Sequence, residues 1–180
     1  MRIVTLRNRA PVIAIVALLF LVACVSGMRA PRCGDADRLR RTARQQYSDE
    51  AVGFRYKNAP RFVPCTDPDA VYLITADHET HTCRQVREHA AERFANIVSG
   101  TFEVRITSVA VTGDQSSEAE ITYDFAFSNL VRRADNTVHH VEVHGRHRDH
   151  WTCTNGSWEL SRMTELEPQQ VSVDGKARAN

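Results

Sequence analysis

The stretch 138-VHHVEVHGRHRDHWTCTNGSWELSRMT-164 decides the fold. It predicts two long strands joined by a two-residue turn at Asn155-Gly156, because both central residues of a type I′ turn need φ > 0. The chain's two tryptophans bracket this turn, Trp151 before it and Trp158 after it. Five of the eight histidines lie on the incoming strand: His139, His140, His144, His147 and His150. Alternation divides that strand into two faces. Val141, Val143, Gly145, His147, Asp149, Trp151 and Cys153 share one; His140, Glu142, His144, Arg146, Arg148 and His150 share the other. The apolar members turn the first face inward.

The outward histidines do not make a metal site. His140 and His144 are four residues apart, about 13 Å on a strand, and ligand bonds are only about 2.0–2.1 Å long. The expectation is no metal and no cofactor.

Upstream, the same period of two continues. Phe102, Val104 and Ile106 alternate, then the phase shifts to Val109 and Val111, which predicts a bulge near Ser108. Ala119, Ile121, Tyr123, Phe125 and Phe127 form the most regular half-buried strand. Turns are expected at Gly113-Asp114 and Ala134-Asp135-Asn136.

Helices come earlier. Asp35 offers an N-cap, and Ala36, Leu39, Ala43 and Tyr47 form one apolar stripe, with helix extending towards Lys57. Pro60, Pro64 and Pro68 interrupt regular structure before a short strand at Val71–Thr75. A polar turn containing Asp77 leads to a brief return strand. Thr82-x-x-Gln85 is a capping box opening a helix from Cys83 to Val98, with Gly100 as its C-cap. His78 and His81 read as loop histidines. Helices early and strands late predict an α+β domain.

The first residues read as an address. Arg2, Arg7 and Arg9 precede an uncharged apolar run, Val12 to Ala23, too short to span a bilayer of about 30 Å. Leu21-Val22-Ala23-Cys24 follows and resembles the lipobox of bacterial lipoproteins. That resemblance implies export, lipidation of Cys24 and membrane anchoring through acyl chains. With Val25 after the Cys, it implies the periplasmic side of the outer membrane in a Gram-negative cell. The expected organisation is a signal peptide over 1–23, a linker over 24–34, a domain over 35–166 and a disordered tail over 167–180.

Cys33, Cys65, Cys83 and Cys153 remain, an even number suited to two disulfides in an oxidising compartment. Three connectivities are open. Cys65 and Cys83 bracket the first predicted hairpin, which favours pairing them and leaves Cys33 with Cys153. Structural zinc lacks a CxxC pair, and free buried thiols are the remaining alternative.

Formal net charge is +1 for the whole chain. Without residues 1–23 it is 20 basic against 22 acidic, or −2, which does not fit a nucleic-acid partner.

The order of elements resembles the nuclear transport factor 2-like superfamily, in its SnoaL-like and ketosteroid-isomerase-like branch. Gly145-Arg146-His147-Arg148-Asp149-His150-Trp151 and Asn155-Gly156-Ser157-Trp158-Glu159-Leu160 carry the likeness, together with Val71–Phe94. The Gly-Arg pair usual before that helix is Cys83-Arg84 here. The resemblance implies a cone: N-terminal helices packed on a curved, mostly antiparallel sheet around a central pocket. It also implies a range of functions, from isomerisation, dehydration or cyclisation to plain ligand binding or dimeric assembly.

The residues expected at the pocket are Tyr47, Tyr72, Tyr123, His147, Asp149 and Trp151. Asp149 and His147 are the candidates for acid–base work, about 6.6 Å apart along one strand face. The favoured expectation is a non-catalytic domain that binds a small apolar ligand or an envelope partner. The alternatives are a SnoaL-like enzyme using Asp149 and His147, and a homodimeric assembly module.

Overall fold

The structure is a computed structural model and describes residues 33, 35–112 and 117–178. The proposed signal peptide, Cys24 and most of the linker lie outside the described residues.

Helix α1 spans Ala36–Arg55. The Asp35 side chain caps it by accepting from the Arg38 amide at 3.0 Å. Its buried residues are Leu39, Ala43, Tyr47, Glu50, Gly53 and Phe54, so the stripe seen in sequence continues one turn further and takes in a carboxylic acid. Helix α2 is a single turn, Ala59–Phe62, with Pro60 in its first turn where no amide donor is needed. The expected break at Pro60 is thus a helix start. Gly53 lets α1 and α2 meet: a Cβ there would lie 2.5 Å from the Phe62 amide nitrogen.

Strands β1 (Val71–Ile74) and β2 (Thr80–Thr82) form the small hairpin. Helix α3, Cys83–Asn96, opens with the Thr82–Gln85 capping box in both directions. It ends sooner than expected. Ile97 is already extended, and Gly100 is not a C-cap but lies inside β3 (Ile97–Thr112), against Asn129.

Strands β4 (Glu118–Arg132), β5 (Val138–Thr154) and β6 (Ser157–Glu165) complete the main sheet. The sheet order is β2-β1-β6-β5-β4-β3, antiparallel except for the β1–β6 pair. The β3 register shifts between Ile106 and Ser108, where the phase change lies in the sequence. Asn155 and Gly156 both have positive φ, 52° and 81°.

The chain does not end in a disordered tail at 167. Strands β7 (Gln170–Val173) and β8 (Lys176–Arg178) form a further hairpin, and β7 pairs with the first half of β5. That half of β5 extends beyond β6, so its backbone groups are free to accept a strand. The Asp174-Gly175 turn, with φ of 51° and 76°, fastens to β5 through His139 and His140.

Both proposed disulfides are present: Cys33–Cys153, with Cα atoms 5.7 Å apart, and Cys65–Cys83, at 6.3 Å. The first ties the start of α1 to the end of β5; the second ties the irregular segment to α3.

Candidate functional site

The inward face of β5 is the one that alternation selects, and pairing extends it into cross-sheet rows. Tyr123 on β4 pairs with His147 on β5, which pairs with Glu165 on β6. One step along lies the row Ile121, Asp149 and Met163; one further lies Ala119, Trp151 and Leu160. In the other direction come Phe125 with Gly145, Phe127 with Val143 and Asn129 with Val141. Gly145 is required there: a Cβ would lie 2.6 Å from the Phe125 ring.

Helix α1 determines what each row meets. Over one end it presses Leu39, Ala43 and Tyr47 onto Ala119, Ile121, Trp151 and Trp158, a sealed core that also holds Cys33. Towards the other end, Phe54, Val63, Tyr72, Ala90 and Phe94 pack as a shell rather than a plug. They enclose a cavity of about 590 Å³, within the usual size range of ligand sites. Phe54, Phe62, Phe94, Phe102 and Phe127 make its apolar belt.

Three of the six expected pocket residues, Tyr72, Tyr123 and His147, line this cavity. Tyr47, Asp149 and Trp151 do not; they belong to the sealed end. Asp149 is fully buried, and its Oδ2 accepts from the Tyr47 hydroxyl at 2.8 Å. Its Oδ1 has no hydrogen-bond partner among the described residues. Burial disfavours the charged carboxylate and pushes Asp149 up to about 7, against the pull of the Tyr47 and Tyr123 hydroxyls. Burial likewise raises Tyr47, Tyr72 and Tyr123, and the negative charge of Asp149 adds to this at each.

Sequence reasoning missed two carboxylic acids on the cavity wall, Glu50 and Glu165. Glu50 accepts from Gln46 at 3.1 Å, and burial raises it well above the ordinary range, with Asp149 adding to the rise. The signal was available, since Glu50 continues the 39-43-47 stripe. Glu165 behaves oppositely. The nearby His147 imidazole, with Nε2 3.7 Å from Oε1, holds it below the ordinary range. Gln169 donates to it at 2.5 Å and the Ala76 amide at 3.3 Å. His147 Nδ1 lies 3.3 Å from the Tyr123 hydroxyl, while Nε2 has no hydrogen-bond partner. The polar end is thus a Tyr123–His147–Glu165 row, with Glu50 and Tyr72 also on the wall.

His81 also lines the cavity, although the sequence suggested a loop role. Two other β5 histidines are engaged elsewhere: His140 Nε2 lies 2.8 Å from Ser128 Oγ, and His139 Nδ1 lies 2.7 Å from Asp174 Oδ2. Asp77 does not line the cavity; it pairs with Thr75 in the β1–β2 turn. Among the described residues no three His, Cys, Asp or Glu side chains converge to hold a metal ion.

No family model matches the chain, and no curated protein matches it in sequence. Solved structures do match its shape. A nuclear transport factor 2-like superfamily protein from Salmonella enterica aligns with TM-score 0.57 at 13% identity, over 74% of this chain and 94% of that one. A hexachlorocyclohexane dehydrochlorinase, LinA type 2, aligns with TM-score 0.55 at 14% identity, over 81% and 94%. A protein from Kribbella flavida aligns with TM-score 0.55 at 19% identity, over 75% and 95%. The domain has the nuclear transport factor 2-like fold, the α+β cone that the order of elements implies.

Proposed function

We propose that this nuclear transport factor 2-like domain is an exported, lipid-anchored binding module that holds a small, mostly apolar ligand in its cavity. The cavity itself carries the reading: about 590 Å³ walled largely by aromatic and aliphatic side chains, with the Tyr123–His147–Glu165 row among its hydrogen-bonding groups. An apolar body gains by leaving water, and the few polar groups set its orientation. Tyr123, His147 and Glu165 meet a polar atom at the ligand's inner end.

A crystal of the protein purified from its own host tests this. The expected result is continuous non-protein density along the Phe102 and Phe127 belt, ending against His147. Density for solvent alone would count against ligand binding.

The lipobox supports the anchored half of the proposal. Cys24→Ser is expected to move the protein from the membrane fraction to the soluble fraction, with loss of labelled palmitate. A variant that stays in the membrane fraction and keeps the label contradicts it.

A second reading, acid–base catalysis in the manner of a SnoaL-like enzyme, is favoured by the same row. Its pair is not Asp149 with His147, because Asp149 is walled off behind Tyr47. It is His147 with Glu165, the two groups that both line the cavity. Of the structural neighbours, LinA type 2 is a hexachlorocyclohexane dehydrochlorinase. A homodimeric role has less support, because the outer sheet face carries Glu120, Asp124, Arg105, Arg146 and Arg148 in surface ion pairs.

A further inference from the structure

The cavity's polar groups fall into two sets with different surroundings. Those on the sheet, on α1 and on β1 are buried or half-buried. The exposed lining residues are His89, Arg93 and Asn96, all on α3. Spacings of four and three residues place them along one helix face, at the rim where the cavity meets solvent. Val86, Ala90 and Phe94, beside them on the helix, and Ile97, just past its end, line the apolar wall. His81 reaches the same rim and packs edge-on against His89, ring centroids 6.0 Å apart.

The rim's charge is unspent. Arg93 forms no hydrogen bond or ion pair with any described residue, unlike Arg61, Arg84, Arg105 and Arg146, each paired with an aspartate. Just outside, a shallow groove shares Asn96, Ile97 and Val131 with the cavity and adds Lys57, Arg132 and Arg133. Its one acid, Asp135, accepts from the Thr137 amide and hydroxyl at 2.9 and 2.6 Å. The two lining acids are less exposed than the rim: Glu50 is buried, and Glu165 is half-buried beside His147 and Gln169. An apolar cleft with cations at its mouth favours anions at that position.

From this arrangement we infer that the occupant is an amphipathic anion: an apolar body along the phenylalanine belt, with a carboxylate or phosphate at the α3 rim held by Arg93. Arg93 offers the planar donor fork that fits such a head group, and Asn96 and His89 flank it. The inference rests on the ligand-binding reading above and specifies its ligand class.

The test compares dodecanoate, dodecyl phosphate and dodecan-1-ol by calorimetry, below their aggregation concentrations, on the intact domain. One acid is expected to bind at least tenfold tighter than the alcohol, and raising the salt concentration should narrow the gap. Whichever acid shows the larger gap identifies the head group. Arg93→Gln should erase the preference while leaving the melting temperature unchanged, since Arg93 is exposed. Val143→Trp, which fills the cavity, should weaken all three probes; Val171→Phe serves if that variant does not fold. Equal affinities for acids and alcohol, or an acid preference that survives Arg93→Gln, overturns the anion inference and leaves the binding module standing. Binding of no probe, or binding indifferent to both cavity-filling variants, overturns both.

Discussion

His147 and Asp149 sit two residues apart on one face of β5, yet they belong to different regions. Asp149 lies in the sealed end, under Tyr47 and beside Trp151, with no path to solvent. His147 lies in the hollow end, on the wall of the cavity. The difference is made by α1, not by the strand. Where the helix presents Leu39, Ala43 and Tyr47 it fills the cone; one turn further it presents Glu50, Gly53 and Phe54, and the cone stays open. A polar residue on an inward face is therefore structural or ligand-facing according to the packing above it. In this molecule a shift of two residues is enough to change its role.

Paired truncations give the largest expected effect. Trp151→Ala removes a fully buried ring from the sealed end and should cost about 3–5 kcal/mol of stability. Phe127→Ala removes a ring that already borders a cavity, and should cost less, about 1–3 kcal/mol. Its main effect should be on ligand affinity. Chemical denaturation of both variants checks the pair, and equal losses would mean that the two ends are packed alike.

A pH comparison sharpens the same contrast. Folding moves Asp149 from its ordinary value of 3.8 up to about 7. Between those values the folded protein keeps a proton that the unfolded chain has released, so stability falls as pH rises from about 4 to about 7 and then levels. For Asp149 the fall is on the order of 4 kcal/mol at most, and Glu50 acts in the same direction. Asp149→Asn should flatten much of the slope and keep the Tyr47 hydrogen bond to its side-chain oxygen. Urea melts of the wild type and this variant from pH 4 to pH 8 measure the slope. A slope unchanged in Asp149→Asn would show that Asp149 is not the buried acid responsible.

Much of the fold was legible in the sequence because strands, caps and turns are local. Alternation set the inward face of β5, Thr82 and Gln85 marked a helix start, and Asn155-Gly156 marked the turn. The bulge at Ser108 was visible as a broken period. The β7–β8 hairpin was not, because its strands are short and polar, and their stability comes from the unpaired half of β5. Of the site, Tyr72, Tyr123 and His147 were legible as inward polar groups. Asp149 and Trp151 were assigned to the pocket because alternation reports a face and carries no information on whether a helix covers it; Tyr47 is on the helix that covers them. Glu165 escaped notice because it becomes a wall residue only through its register with His147, whereas Glu50 was readable as the next position of the 39-43-47 stripe.

The central claim is that the hollow end takes a ligand and that His147 faces it. The most direct measurement is the imidazole NMR signal of His147 during titration with dodecan-1-ol, an uncharged probe that does not depend on the α3 rim. The expected result is a saturating shift of His147, with the same dissociation constant as calorimetry, while His140 and His144 on the outer face stay still. A His147 signal that does not move while heat of binding is recorded would place the ligand elsewhere and contradict the account.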